Sequence, residues 1–596
     1  MSPLKIDNNS TIKRLNTIKT MQKQYITLIL ILLTGFTFSQ EIKNDTLKTG
    51  EILVVKPYTP KISDAFKIKS NPAMENKGVF EKEKVNYSIF SVPVASTFTP
   101  SKGKAKGIIK EPKDRLFENY ISAGFGNFTT PLLEVYLHSG DNRYNDFGIF
   151  INHHSSKGGI DDILFDDNFS DTKIDAYYKQ YDRDFNWQIN TGVQRRLYNY
   201  YGLPSNTEFN QIFIDNINEE QIYKNVYLGG IIDFEDSFFR GASAELYNFS
   251  DDYNSNELRL FAKPTFEFPI STEIINTELT VDLLTGKFKQ DYYTTDDIKY
   301  SFLNLGINPN FEVLRENLKV NLGAKLYYAN DLENKSNEFY AYPNVTASYK
   351  IMDDVFILLA GVTGDLVQNT YKDFSTTNPY VSPTLEVFQT DKQYNAFIGA
   401  KGKLASNISY NFNVSHTKEK NKPLFIQNRT KTNGLTNVNN AYEAGNSFQV
   451  VYDDIKTLGV SGELAVEYSN EFTFGTTINY SNYSLNEQEE AWNLPEIEAT
   501  LFANYQKNKW LAGVKLFYNG ETKDYVIPYG TTYNNGNIVK NDSYIDLNVN
   551  AGYIFSDRLT AFAKINNLLS DDYERFVNYK VQPLQVLAGI TYKFDF

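Results

Sequence analysis

From about Phe117 to the C-terminal Phe596 the chain is a succession of short segments in which apolar and polar side chains alternate, separated by polar turns. Alternation puts successive side chains on opposite faces of a strand, so each segment carries one apolar and one polar face. The last segment shows it plainly. Leu584, Val586, Ala588, Ile590, Tyr592, Phe594 and Phe596 share one face, and Gln585, Gly589, Thr591, Lys593 and Asp595 share the other, with Leu587 the exception. The same pattern recurs in Ile545–Phe555, in Leu318–Tyr328 and in Leu458–Tyr468. Several of the apolar faces end on an aromatic residue, where an interfacial girdle would lie.

A polar face makes a poor core for a soluble sandwich or propeller. In a membrane the arrangement inverts, with apolar side chains outside and polar ones lining a lumen. Open sheet edges are not tolerated in hydrocarbon, so the strands must close on themselves. The turns support this reading. Short polar turns are expected near Asp182–Phe185, Pro269–Thr272, Arg315–Asn317, Met352–Asp354, Ala405–Asn407, Ser469–Glu471, Lys507–Lys509 and Ser556–Arg558. Longer loops are expected at 155–172, 197–221, 368–391, 419–445 and 523–542. Short turns inside and long loops outside are what outer-membrane barrels show. The expected fold is all-β: a transmembrane antiparallel β-barrel of about 22 strands over residues 117–596, preceded by a largely irregular periplasmic extension.

Composition narrows the function. The 596 residues include 43 Tyr and 43 Phe but only 3 Trp, and a tyrosine ring with its polar tip suits a membrane boundary. There is no Cys, which removes disulfides, thiolate metal sites and Cys nucleophiles. The four histidines are His138, His153, His154 and His416, too few and too scattered for a metal or acid–base centre. The acidic stretch Asp161, Asp162, Asp166, Asp167, Asp171 lacks the ligand spacing of a calcium loop and reads as a solvated outer loop. No phosphate loop, nucleotide fingerprint or nucleophile elbow is present, so no catalytic, cofactor-binding or metal site is expected and the chain is not read as an enzyme. The formal net charge of -13 argues against nucleic acid as a partner.

The one continuous apolar run, Ile26 to Phe36, is too short to span a bilayer as a helix. It reads as the core of a secretory signal peptide covering residues 1–39, with Met21 as the start, residues 1–20 as upstream sequence, and cleavage after Ser39. The mature protein would then sit in a bacterial outer membrane. Residues 40–116 carry Pro57, Pro60, Pro72, Pro93, Pro100 and Pro112, which break regular structure. They are also basic, whereas residues 117–596 are strongly acidic. Lys102, Lys104, Lys106 and Lys110 could lie in an acidic lumen as a short plug; a solvated periplasmic linker and an arm that binds another protein stand beside that reading.

The last third of the chain resembles the barrel of TonB-dependent receptors, the outer-membrane transporters for siderophores, vitamins and glycans. The residues that carry the resemblance are Thr377-Asn-Pro-Tyr-Val-Ser-Pro-Thr384, which is similar to the family's NPxLxPE loop; Ser543-Tyr-Ile-Asp-Leu547; Ile565-Asn-Asn-Leu-Leu-Ser-Asp-Asp-Tyr-Glu574, similar to its NLxDxxYE hairpin; and the closing strand with Tyr592, Phe594 and Phe596. The Gln after the cleavage site resembles members from the Bacteroidota. The resemblance implies a 22-strand barrel and no cofactor. It also implies TonB as a partner. The segment Glu51, Ile52, Leu53, Val54, Val55 resembles a TonB box, the short strand that pairs with TonB, although the run also reads as an ordinary short strand. The departure is the plug: family members carry a folded domain of well over a hundred residues before the barrel, and this chain has no such pattern in 41–116. Two functions follow as expectations. One is transport across, or receptor function at, the outer membrane. The other is a non-transporting barrel subunit that scaffolds a multi-protein complex for protein assembly, secretion or nutrient capture, with outer-membrane lipid and other outer-membrane or periplasmic proteins as partners.

Overall fold

In the computed structural model, residues 117–595 are described, apart from 142, 206, 236, 271, 272 and 532–534. The signal peptide, the start at Met21 and the extension 40–116 lie outside the described residues. The described chain forms one closed antiparallel sheet of 22 strands. Closure is made by the first and last strands, Asn119–Gly126 and Gln585–Phe594, in register from Asn119 opposite Phe594 to Gly126 opposite Leu587. Every other barrel strand pairs with the barrel strands before and after it, so the wall is a simple up-and-down meander.

The alternation sets the two faces. Ile590 is 54% exposed on the outer surface, whereas Thr591 faces inward, its Oγ1 2.9 Å from Ser122 Oγ. Leu587, the exception in the sequence pattern, is buried on the inner face. The eight expected short turns fall at one rim, and two more connections there, between Thr130–Asp141 and Asn145–Ser156 and between Glu220–Phe234 and Phe239–Asp251, were not anticipated. The long loops fall at the other rim. One boundary differs from expectation: strand Ile408–Gln427 runs on through 419–427, because its paired neighbour Phe448–Ser469 is equally tall, so the loop begins only at Asn428. Across the expected loop region 523–542, strands Thr522–Val526 and Asn537–Asn541 pair as a small hairpin outside the barrel sheet.

The inner face is less uniformly polar than the alternation suggests. Many inward tyrosine and phenylalanine rings lie across a glycine of the adjacent strand. Tyr177 covers Gly148, Tyr227 covers Gly192, Tyr300 covers Gly286 and Phe502 covers Gly475, each pair being direct cross-strand partners. A side chain at any of these glycines would occupy the ring's place, which is why glycine recurs on the inner face. The hydroxyls are then free to reach carboxylates: Tyr227 donates to Asp175 at 2.6 Å and Tyr342 to Asp391 at 2.8 Å.

Candidate functional site: a packed cap of long loops

The long loops do not stand away from the rim. Loops 200–219, 369–388, 428–447 and 567–584 converge on a buried, largely aromatic core together with the inward side chains at the upper ends of several strands. Tyr201, Phe213, Tyr371, Phe374, Phe448 and Tyr579 come from different loops and strands yet share this one cluster. Burial of so many large rings supplies the main driving force for holding the loops in the mouth.

The loop 369–388 is the central strap. It opens with a short helix, Tyr371–Thr377, capped by Thr370, whose hydroxyl accepts from Asp373 N–H at 3.0 Å. The first turn of this helix meets Glu257, which is fully buried. The Glu257 carboxylate accepts from Tyr371 N–H at 2.7 Å, from Tyr300 hydroxyl at 2.8 Å and from Tyr247 hydroxyl at 3.0 Å. Tyr371 hydroxyl donates to Asp251 at 2.7 Å, and Arg196 donates to Ser375 Oγ at 3.1 Å. The strap is thus fastened to strands Phe185–Asn199, Phe239–Asp251 and Asn256–Ile270, none of which is its neighbour in the sheet. Lys372 lies with its ammonium 4.1 Å above the Tyr247 ring, and burial lowers its pKa.

The motif Thr377–Thr384 lies in this strap. Asn378 is fully buried and accepts from Tyr380 N–H at 3.0 Å; Pro379 and Val381 carbonyls accept from the Tyr223 and Tyr200 hydroxyls, both at 2.8 Å. Tyr380 stacks on Tyr579 of the loop 567–584, and the Tyr579 hydroxyl donates to the Asn446 carbonyl of a third loop. The Ile565–Glu574 segment closes its own turn through Asn567, which donates to the Asp571 and Gln582 carbonyls at 3.1 Å. The first motif and the loop that follows the second, far apart in sequence, therefore meet in one core.

A second set of contacts ties in the outer hairpin. Trp492 packs in a cluster with Leu424, Ile426 and Ile455. Asp524 is fully buried and accepts from Gln427 N–H at 3.0 Å and from the Asn493 side chain at 2.8 Å; burial pushes its carboxyl up to about 7. Asp453 accepts from the backbone N–H groups of Asn486, Glu487 and Gln488 and holds the loop 485–496.

Of the site residues read from sequence, Tyr592 and Phe594 stack on each other, with Tyr592 on the outer face. Phe596 lies outside the described residues, as do Glu51, Ile52, Leu53, Val54 and Val55 of the segment resembling a TonB box. Lys102, Lys104, Lys106 and Lys110 of the basic extension lie outside them too. His153 and His154 face opposite sides of the wall, His153 bonded to Thr172 at 2.8 Å and His154 against Phe169. Sequence reasoning missed Glu257, Asp251, Tyr371 and Tyr579. Glu257 and Asp251 occupy inward positions of ordinary strands, where a carboxylate is unremarked. The doublet Tyr200-Tyr201 just after a strand was the one available signal of a buried loop.

No family model and no curated protein matches the sequence. Solved structures do match the fold. The FrpB iron transporter from Neisseria meningitidis (F3-3 variant) is 10% identical over 81% of this chain and 82% of its own, with a TM-score of 0.60. The siderophore receptor PirA from Acinetobacter baumannii is 12% identical over 80% of each chain, with a TM-score of 0.59. The ferripyoverdine receptor of the outer membrane of Pseudomonas aeruginosa, bound to ferripyoverdine, is 13% identical over 81% of this chain and 72% of its own, with a TM-score of 0.56. The chain therefore shares the 22-strand barrel fold of outer-membrane receptors and transporters.

Proposed function

We propose that this protein is an outer-membrane barrel of the TonB-dependent-receptor type, acting in transport across or reception at the bacterial surface. The observation that carries the reading is the closed 22-strand wall with an apolar outer face and long loops gathered at one rim. In this reading residues 1–39 direct export, the short-turn rim faces the periplasm and the cap faces outward. The cap is the surface that a ligand or partner meets first. The iron, siderophore and ferripyoverdine proteins that share the fold suggest a chelated metal as the class of cargo. TonB is the proposed energising partner, through the strand-like run Glu51, Ile52, Leu53, Val54, Val55.

A second reading, a barrel subunit that anchors other proteins without transporting, draws on the cap itself. Loops fastened by buried carboxylates and an aromatic core favour a mouth that stays closed. One experiment separates the two. Full-length protein, purified in mild detergent and placed in planar bilayers, is measured for conductance before and after ferric siderophores are added, and the same extract is analysed for co-purifying proteins. Ligand-dependent binding or current supports the receptor. A silent barrel that retains stoichiometric partners and binds no chelate overturns it in favour of the subunit.

A further inference from the structure

The outer apolar face is not equally tall around the barrel. On strand Asn145–Ser156 the outward apolar run is Phe147 to Ile151, with Asn145 below and His153 above. On Phe169–Tyr181 it is Ile174 to Tyr178, between Thr172 and Gln180. On Asn119–Gly126 it is Ile121 to Phe125, with Asn127 above and, below, Asn119 buried in the wall where it accepts from His138 N–H; on Thr130–Asp141 it runs from Pro131 to Leu137, before Ser139. Runs of this kind cover four to six residue steps, about 13–20 Å along the strand and roughly 10–15 Å along the membrane normal once strand tilt is included.

The wall formed by Ile298–Arg315, Leu318–Asp331 and Ser336–Met352 is different. Its outward positions are apolar without interruption from Leu303 to Val313, from Leu318 to Tyr328 and from Phe339 to Ile351. Those runs cover ten or more steps, giving about 25 Å or slightly more, the ordinary height of an outer-membrane barrel's apolar belt.

The upper limit of the low wall is a transverse polar row. His153, Thr172 and Arg195 are direct partners on three adjacent strands, all outward, and His153 Nδ1 lies 2.8 Å from Thr172 Oγ1. A guanidinium and an imidazole in one row cannot sit in hydrocarbon without a large penalty. A bilayer that meets a short apolar stretch thins to match it.

We propose that the bilayer is locally thinned against the wall of strands Asn119–Gly126, Thr130–Asp141, Asn145–Ser156 and Phe169–Tyr181, so that this sector of the barrel is an interaction surface for a compressed lipid layer. The proposal rests on the reading of the outer face as membrane-embedded. It makes the protein an asymmetric membrane element, with full-thickness lipid on one side and headgroups drawn inward on the other.

The absence of Cys allows a direct test with single-cysteine variants of the full chain. Ile149 and Val345 mark the centres of a low and a tall run. Asn145→Cys and His153→Cys lie four residues from the first centre; Ala341→Cys and Tyr349→Cys lie four residues from the second. Each variant, checked for folding by heat-modifiable mobility, is labelled with a water-soluble maleimide supplied to both sides of the membrane, in phosphatidylcholine liposomes opened by freeze–thaw and in native outer-membrane fragments. The expected result in both is labelling of Asn145→Cys and His153→Cys at least tenfold faster than Ala341→Cys and Tyr349→Cys, with Ile149→Cys and Val345→Cys unreactive. Equal protection at all four flanking positions in liposomes overturns the thinning. Fast labelling in liposomes but protection in native membranes overturns it as well, because a protein then covers the low wall. Fast labelling of Ile149→Cys and Val345→Cys would instead refute membrane embedding itself.

Discussion

The ring of Tyr380 lies against that of Tyr579 with centroids 3.6 Å apart and planes 18° from parallel, joining the strap 369–388 to the loop 567–584. Tyr579 is fully buried, touches Tyr201 and Phe448 as well, and bonds to Asn446 through its hydroxyl. Three other loops meet it, through Tyr201, Tyr380 and Asn446. Tyr579→Ala is expected to loosen the cap by roughly 3–5 kcal/mol while leaving the barrel folded. Limited proteolysis should then cut within 369–388 and 567–584, with heat-modifiable mobility unchanged; resistance equal to the parent would show that Tyr579 does not hold the cap.

Glu257 fastens the strap from below. Glu257→Leu leaves the Tyr247 and Tyr300 hydroxyls and the Tyr371 N–H without their acceptor, at about 1–3 kcal/mol for each group that stays buried. Glu257→Gln keeps one carbonyl oxygen and is expected to be milder. Hydrogen exchange across residues 369–388 should rise in the order parent, Gln, Leu. Identical exchange in all three would mean that the aromatic core alone holds the strap.

Gly286 lies beneath the Tyr300 ring, whereas a methyl group on Gly462 would meet nothing within 4 Å. Gly286→Ala forces the ring aside, along with its bond to Glu257, and should lower stability by roughly 1–3 kcal/mol. Gly462→Ala should be neutral or slightly stabilising. Urea-induced unfolding in detergent or lipid compares the two, and equal midpoints would refute the packing role of the inner glycines.

The Asp524 carboxyl titrates near 7 when the outer hairpin is folded and near an ordinary value of about 4 when it is not. Between those values the folded form holds the additional proton, so raising the pH through this window favours opening of the hairpin. Residues 522–541 should therefore be better protected from exchange at pH 5 than at pH 8, after correction for the intrinsic rate. Asp524→Asn should remove the difference; a difference that survives in that variant must come from another group.

Ile590 and Thr591 test the register of the wall. Ile590→Lys, on the outer face, should cost roughly 2–4 kcal/mol if its level is near the bilayer midplane, and Thr591→Lys, on the inner face, should be mild. Membrane yield and heat-modifiable mobility of the two variants read this out. Equal damage at both positions would contradict the assignment of faces.

The period-two alternation in segments such as Leu318–Tyr328 and Gln585–Phe594, with the spacing of turns, was enough to anticipate a closed barrel of about 22 strands and most of its short-turn rim, because a strand's faces are set by covalent geometry and hydrocarbon forbids an open edge. Even the single break in the last strand, Leu587, was visible in the sequence. The cap was not. Tyr371 and Tyr380 share the strap, Glu257 and Tyr579 belong to two other hairpins, and nothing local marks which of these side chains will enter a common core. Their meeting depends on barrel closure, which brings distant loops over one mouth, and on burial, which rewards the rings only once they are all there. The unequal height of the outer face has the same origin: each polar limit, such as His153 or Thr172, is legible on its own strand, but only the register across strands lines them up into a low wall.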